Sequence, residues 1–200
     1  MINIGVLASG RGTNLQAIIE AVEEGKIKGR ISIVISDNRD AYALKRAKQH
    51  NIKTQYVDFK SFKNREDYDK KIVGCLKEKK IDLVVLAGYM RILSPYFIRT
   101  YKNKIMNIHP ALLPSFPGLH AQRQTLEYGV KVSGCTVHFV DEGVDSGPII
   151  LQKAVEVSDD DTEESLADKI LKEEHQIYPR AIQLFSESRL MIKGRRVFIK

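Results

Sequence analysis

Apolar positions along the chain follow two alternating rhythms. INIGVLA (2–8), RISIVIS (30–36) and IDLVVLA (81–87) are short, nearly continuous apolar runs, the pattern of strands covered on both faces. Between them, LQAIIEAVEEG (15–25), AYALKRAKQH (41–50) and REDYDKKIVGCLKEKK (65–80) space their apolar residues three and four apart, as a helix with one buried face does. KTQYVDF (53–59) adds a third strand, which makes the series βαβαβαβ. Strands joined through helices lie parallel, so the pattern predicts an α/β fold with a mostly parallel central sheet and helices on both faces. Further on, GLHAQRQTLEYG (118–129) reads as a helix, SGCTVHFV (133–140) and PIILQKAVEV (148–157) as two strands, and Thr162 to Leu184 as a helix with Pro179 as a kink or break. The tail RLMIKGRRVFIK reads as a hairpin about Lys193 and Gly194 or as an edge strand.

The chemistry concentrates in KIMNIHPALLPSFPG (104–118). Ile105 and Met106 continue a buried strand, and Pro110 and Pro114 forbid its extension, so Asn107 and His109 stand at a strand end, where open α/β sheets keep their sites. Their alternate spacing puts an amide donor and an imidazole on one side, a pair suited to stabilising an oxyanion or relaying a proton. A structural hydrogen-bonding role for His109 is the alternative. DEGVDSGPI (141–149) is an acidic, glycine-punctuated loop in which Asp141, Glu142 and Asp145 compete for one role; it is either an ordinary solvated turn or the segment that returns Asp145 over the sheet end to meet His109. His138 alternates with Thr136 and Val140 and reads as a satisfied strand residue or a wall of the site.

SGRGTNLQ (9–16) pairs a tight glycine turn with a helix start, an arrangement whose amides hold a phosphate. It lacks the third glycine of the dinucleotide fingerprint, since position 15 is Leu15, and it lacks the end of a Walker loop. In the bland alternative, Gly10 and Gly12 make a βα turn and Asn14 caps the helix. In AGYMRILSP (87–95) a single guanidinium, Arg91, stands among Tyr89, Met90, Ile92 and Leu93. That suits an aromatic ligand with an acidic tail, or equally a helix base whose apolar residues are core.

Composition narrows the class only slightly. Two hundred residues, 43% hydrophobic and 28% charged, support one sizeable core, and a single domain over 1–200 is the default. The net charge of +7 is scattered, densest at KEKK (77–80) and KGRR (193–196), and fits anionic small molecules as well as nucleic acid. Two cysteines, Cys75 and Cys135, make no disulfide framework, and the chain shows neither an export signal nor an apolar stretch of the roughly 20 residues that cross a bilayer. A cytoplasmic protein without nucleic-acid or membrane partners is expected. No metal site is expected either, because no H-E-x-x-H pattern occurs.

Together SGRGTNLQ, AGYMRILS, MNIHPALLPSFPGLHA and TVHFVDEGVDSGPII resemble the glycinamide ribonucleotide formyltransferase family, the folate-dependent enzymes of purine synthesis, over at least residues 3–180. The resemblance implies a Rossmann-like formyltransferase fold forming one domain over 1–200. It also implies transfer of a formyl group from 10-formyltetrahydrofolate to the primary amine of glycinamide ribonucleotide, without a metal, by a monomer or weak homodimer. By the same resemblance Asn107, His109 and Asp145 are catalytic, Arg11, Gly12, Thr13 and Asn14 form the substrate-phosphate turn, and Glu174 contacts the substrate ribose. Met90, Arg91, Ile92 and Leu93, with Val140, Asp141, Glu142, Gly143 and Val144, fall on folate-binding segments, and Leu113–Pro114 is where relatives carry a cis peptide. Thr13 stands where many relatives have serine, which keeps the hydroxyl. Three rivals remain. Methionyl-tRNA formyltransferase is expected to need a further RNA-binding domain and formyltetrahydrofolate hydrolase a preceding regulatory one, while a non-catalytic nucleotide-binding or RNA-binding α/β domain would bind with steep salt dependence.

Overall fold

The apolar runs at 2–8, 30–36 and 81–87 are neighbouring parallel strands in the computed structural model, which describes residues 1–200. The chain divides into two units, Met1–Met106 and Asn107–Lys200. In the first, β1 (Ile2–Leu7), β2 (Gly29–Ser36), β3 (Thr54–Tyr56) and β4 (Leu83–Leu86) take the order β3-β2-β1-β4, every pairing parallel. The crossovers carry α1 (Thr13–Glu23), α2 (Tyr42–Gln49) and α3 (Arg65–Glu78). Ile4, Val6, Leu15, Ile18, Leu83 and Val85 are wholly buried, and each such side chain contributes roughly 1.5–3 kcal/mol of burial. The pattern of α3 is core, with Tyr68, Ile72, Val73, Cys75 and Leu76 all buried.

Two elements escaped the periodicity. The predicted strand 53–59 forms only over Thr54–Tyr56, because Asp58 then caps a 3-10 turn at Phe59–Ser61, its carboxylate accepting from the Lys60 amide at 2.9 Å. The second is α4 (Pro95–Thr100), whose start is set by Ser94 as cap and Pro95 in the first turn. Asp69 of α3 is buried and accepts the Ser94 amide at 2.6 Å, which ties the two helices together. Burial holds its carboxyl above the ordinary value, against the opposing pull of Ser94.

β5 (Ile105–His109) straddles the division, so Asn107 and His109 belong to the second unit. There follow α5 (Ala121–Tyr128), β6 (Val132–Phe139), β7 (Ile149–Glu156), α6 (Glu163–Ser186), β8 (Leu190–Lys193) and β9 (Arg196–Ile199), with β6-β7-β9-β8 as the strand order. This unit is mixed: β6/β7 and β8/β9 are antiparallel, while β7/β9 is parallel. The reason is connection length. Residues 140–148 are too few for a crossover, so β7 must return antiparallel. Residues 118–120, predicted helical, are loop, and α5 starts after His120 in a left-handed conformation. A capping box of Thr162 and Ser165 opens α6, which runs through Pro179 without a break and packs Phe185 on Phe139 of β6, ring centroids 6.5 Å apart. The tail is the hairpin, with Lys193 opposite Arg196 across a two-residue turn.

Gly147 closes the β6–β7 loop so tightly that an added Cβ would lie 1.8 Å from the carbonyl oxygen of Phe139, and the Phe139 amide in turn donates to Pro148 at 2.9 Å. Gly147→Ala should therefore lower the unfolding free energy by about 3 kcal/mol. A urea midpoint equal to that of the parent chain would contradict this packing.

Candidate active site

In the second unit, three elements bring four polar side chains together. The end of β5 supplies Asn107 and His109, β6 supplies His138, and the loop after it supplies Asp145. A register shift between Val137 and His138, where Ile150 has no partner on β6, adjusts the strand at the site. Asp145 adopts φ 48°, a left-handed conformation uncommon for a side-chain-bearing residue, and its carboxylate turns back onto the strand ends. Its Oδ2 lies 3.3 Å from His109 Nδ1 and accepts the Gly118 amide at 2.8 Å; its Oδ1 lies 3.5 Å from Asn107 Nδ2 and 3.7 Å from His138 Nε2.

The partners assign the protons. His138 Nδ1 faces the carbonyl of Phe139 at 2.9 Å, and a carbonyl only accepts, so Nδ1 donates and Nε2 is bare to accept from Asn107 Nδ2 at 3.2 Å. That fixes the Asn107 carboxamide with its NH₂ toward His138 and Asp145. The second N–H, at 3.5 Å from Asp145, is poorly engaged and is the donor available to an incoming oxygen. His109, only 4% exposed, donates from Nε2 to the carbonyl of Phe116 at 2.8 Å. Both its ring nitrogens therefore face acceptors.

The loop 111–118 that brings Phe116 and Gly118 here is held from β6 and β7. Thr136 Oγ1 donates to Ala111 O (2.7 Å) and accepts from the Leu113 amide (3.0 Å), while Gln152 Nε2 reaches Leu113 O at 2.9 Å. Leu113–Pro114 is cis. Val140 and Asp141 are half-buried and Glu142, Gly143 and Val144 exposed on the loop that ends in Asp145. Glu174 is buried on α6 beside Cys135; burial first, then the Glu174 and Glu173 carboxylates, push the Cys135 thiol up to about 12, which leaves it no nucleophile.

In the first unit, residues 9–14 form the predicted turn. Gly12, at φ 70°, is the N-cap of α1 with no side-chain cap, so Asn14 does not cap the helix. A Cβ on Gly12 would come within 2.7 Å of the Ala43 Cβ, showing how closely α2 lies on the turn. The Ala43 amide donates to Gly10 O (3.1 Å) and Arg46 Nε to Arg11 O (3.0 Å). Arg11 is exposed, Thr13 half-buried and Asn14 buried. Ser9 links this turn to residues 88–90, its amide donating to Gly88 O and its hydroxyl accepting from the Met90 amide, both at 3.0 Å. Met90 and Ile92 are 67% and 62% exposed while Leu93 is buried, so only Leu93 fits the core alternative. Arg91 is committed within this unit: Nε donates to Asp37 at 2.7 Å and the guanidinium stacks 4.0 Å over the Phe59 ring. No group of three His, Cys, Asp or Glu side chains is placed to hold a metal.

Ser9, Thr136, Gln152 and the Phe116 carbonyl were not anticipated from sequence. Alternation puts Thr136 on the face of His138 and could have marked it. A backbone carbonyl leaves no trace in residue types.

Comparison with known proteins gives a consistent result. The formyl transferase family model matches residues 2–182. The chain is 46% identical to the phosphoribosylglycinamide formyltransferase of Escherichia coli, over 94% of its own length and 89% of that protein. It is also 46% identical to the trifunctional purine biosynthetic protein adenosine-3 of Drosophila melanogaster, again over 94% of its length but spanning only 14% of the fly protein. The crystal structure of glycinamide ribonucleotide transformylase 1 from Symbiobacterium toebii superposes with a TM-score of 0.98 at 55% identity, covering 100% of this chain and 94% of that one.

Burial holds the His138 imidazole below its ordinary 6.5, against the opposite pull of the Phe139 carbonyl and Asp145. The unfolded chain takes up a proton near that ordinary value and the folded chain does not. Stability should therefore fall as pH drops below about 6.5 toward the depressed folded value. Urea midpoints between pH 7.5 and 5 should decline more steeply for the parent chain than for His138→Gln; equal slopes would refute the buried neutral ring.

Proposed function

This chain belongs to the formyl transferase family and has its Rossmann-like α/β fold, and we propose that it transfers a formyl group from 10-formyltetrahydrofolate to the primary amine of glycinamide ribonucleotide, a step of purine synthesis. The observation that carries this reading is the Asp145 carboxylate, shared among Asn107, His109 and the Gly118 amide at one strand end.

In this reading the amine lone pair attacks the formyl carbon, the carbonyl electrons move to oxygen, and a tetrahedral intermediate forms. The under-used N–H of Asn107 donates to that oxyanion. His109 adds a second donor by exchanging the Phe116 carbonyl for the oxyanion at Nε2. Asp145 supports the donating ring and takes the proton released by the amine. As the carbon–nitrogen bond to the folate breaks, a proton reaches the departing folate nitrogen, and one amine proton has been exchanged for the formyl group. His138, kept neutral, lines the site and orients Asn107.

Residues 11–14 are assigned to the substrate phosphate, which the uncapped start of α1 supports. Glu174 is assigned to the ribose, and 90–93 with 140–144 to the folate, the exposed Met90, Ile92 and Val144 offering apolar contact. The substrates are small molecules; nucleic acid, membrane and metal have no part in the reading, and a cytoplasmic monomer or weak homodimer suffices. No helix is long and apolar enough to cross a membrane.

Purified protein given glycinamide ribonucleotide and 10-formyl-5,8-dideazafolate should release deformylated folate only when the ribonucleotide is present. Release without it would make the chain a hydrolase, and no release from folded protein would return it to a binding module. Removing an oxyanion donor costs roughly 3–4 kcal/mol, so Asn107→Ala should lower turnover at least about a hundredfold with folding intact. A folded variant that keeps most of its turnover would sink that role.

A further inference from the structure

The carboxy-terminal hairpin β8–β9 lies beyond the stretch that carries the site, yet it touches the loop that presents Asp145. Arg195, in the two-residue turn between Lys193 and Arg196, donates from Nη2 to the backbone carbonyl of Ser146 at 2.7 Å. The turn is brought to the loop by the parallel pairing of Ile149 with Arg196, two residues past Gly147. The neighbouring cations are used differently: Lys193 and Arg196 lie over the Phe198 ring at 5.9 and 4.8 Å.

Ser146 is the residue after Asp145, and it is gripped at two atoms. Its hydroxyl donates to Asp141 Oδ1 at 2.6 Å, an oxygen that also accepts the Gly143 amide at 3.2 Å. Its carbonyl is the acceptor for Arg195. The adjacent Gly147 admits no side chain, since a Cβ there would lie 1.8 Å from the Phe139 carbonyl oxygen. Asp145 itself sits at φ 48°, a strained conformation for a non-glycine residue that persists where the surroundings over-determine it. Asp141 restrains the loop from within, the Gly118 amide holds the Asp145 carboxylate, and Arg195 holds the loop's backbone from the hairpin.

We propose that Arg195 is a positioning residue for Asp145: by holding the Ser146 carbonyl it keeps the 141–147 loop, and hence the shared carboxylate, in register with Asn107 and His109. The catalytic half of this proposal rests on the role assigned to Asp145 above; the structural half does not. A charge-assisted bond to a backbone carbonyl at the surface contributes about 1 kcal/mol, equivalent to roughly a fivefold change.

Two measurements on the full chain separate the halves. Amide hydrogen exchange in residues 141–147 should quicken about fivefold in Arg195→Ala with the rest of the protein unchanged, and Arg195→Lys, which keeps a donor, should restore part of the protection. Unchanged exchange would overturn the proposal whatever the enzyme does. Turnover in Arg195→Ala should fall about fivefold on the parent background with KM little changed, and should not fall further when added to Asp145→Asn. Additive losses would show that Arg195 acts on folding or elsewhere and would overturn the positioning role. An Asp145→Asn variant that itself stays active would instead strike at the reading of the site, leaving the exchange result to decide the loop.

Discussion

One carboxylate organises the site. Asp145 is presented from a left-handed turn, and on its two oxygens converge the Gly118 amide, the His109 ring and the Asn107 carboxamide. Each contact has a consequence for the next group. Asp145 gives His109 an acceptor at Nδ1 while Phe116 occupies Nε2, and the bare Nε2 of His138 turns the Asn107 NH₂ toward His138 and Asp145. In the proposed reaction these donors would be in place before substrate arrives, the condition under which electrostatic stabilisation is effective, since little reorganisation is then needed as charge develops. The same logic explains the supporting polar residues. Thr136 and Gln152 fix the loop that carries the Phe116 carbonyl, which under the proposed role of His109 holds its resting acceptor where an oxyanion would replace it.

The first unit shows comparable economy on parallel strands. Ser9 joins the turn at 9–14 to the segment at 88–90 through both its amide and its hydroxyl. Arg91, read from sequence as either a fixed charge for a ligand or an exposed residue beside core, is anchored on Asp37 and stacked on Phe59. Under the proposed folate role, a guanidinium so held would lose little further side-chain entropy on binding, and Met90 and Ile92 on either side are exposed.

Much of this was legible in the chain. Continuous apolar runs marked β1, β2 and β4 because strands covered on both faces need no alternation, and Pro110 and Pro114 marked the end of β5, where Asn107 and His109 stand. Asp145 could be named as a partner of His109 only as one of two readings, since a D-S-G sequence makes turns as readily as it makes sites. What stayed hidden has a common cause. The 3-10 turn after β3 and the short α4 are set by caps, Asp58 and Ser94, too local for any period to show. The mixed pairing of the second unit follows from the length of one loop. The contacts of the Phe116 and Ser146 carbonyls involve backbone atoms, which every residue carries alike.

The kcat/KM of a folded Asp145→Asn variant, set against that of the parent chain, tests the central role of this carboxylate most directly. The amide keeps the shape of the side chain but neither carries the charge that supports His109 nor accepts the amine's proton, so kcat/KM should fall at least about a hundredfold. A folded Asp145→Asn that keeps most of its kcat/KM would show that another group governs the reaction and would contradict the account.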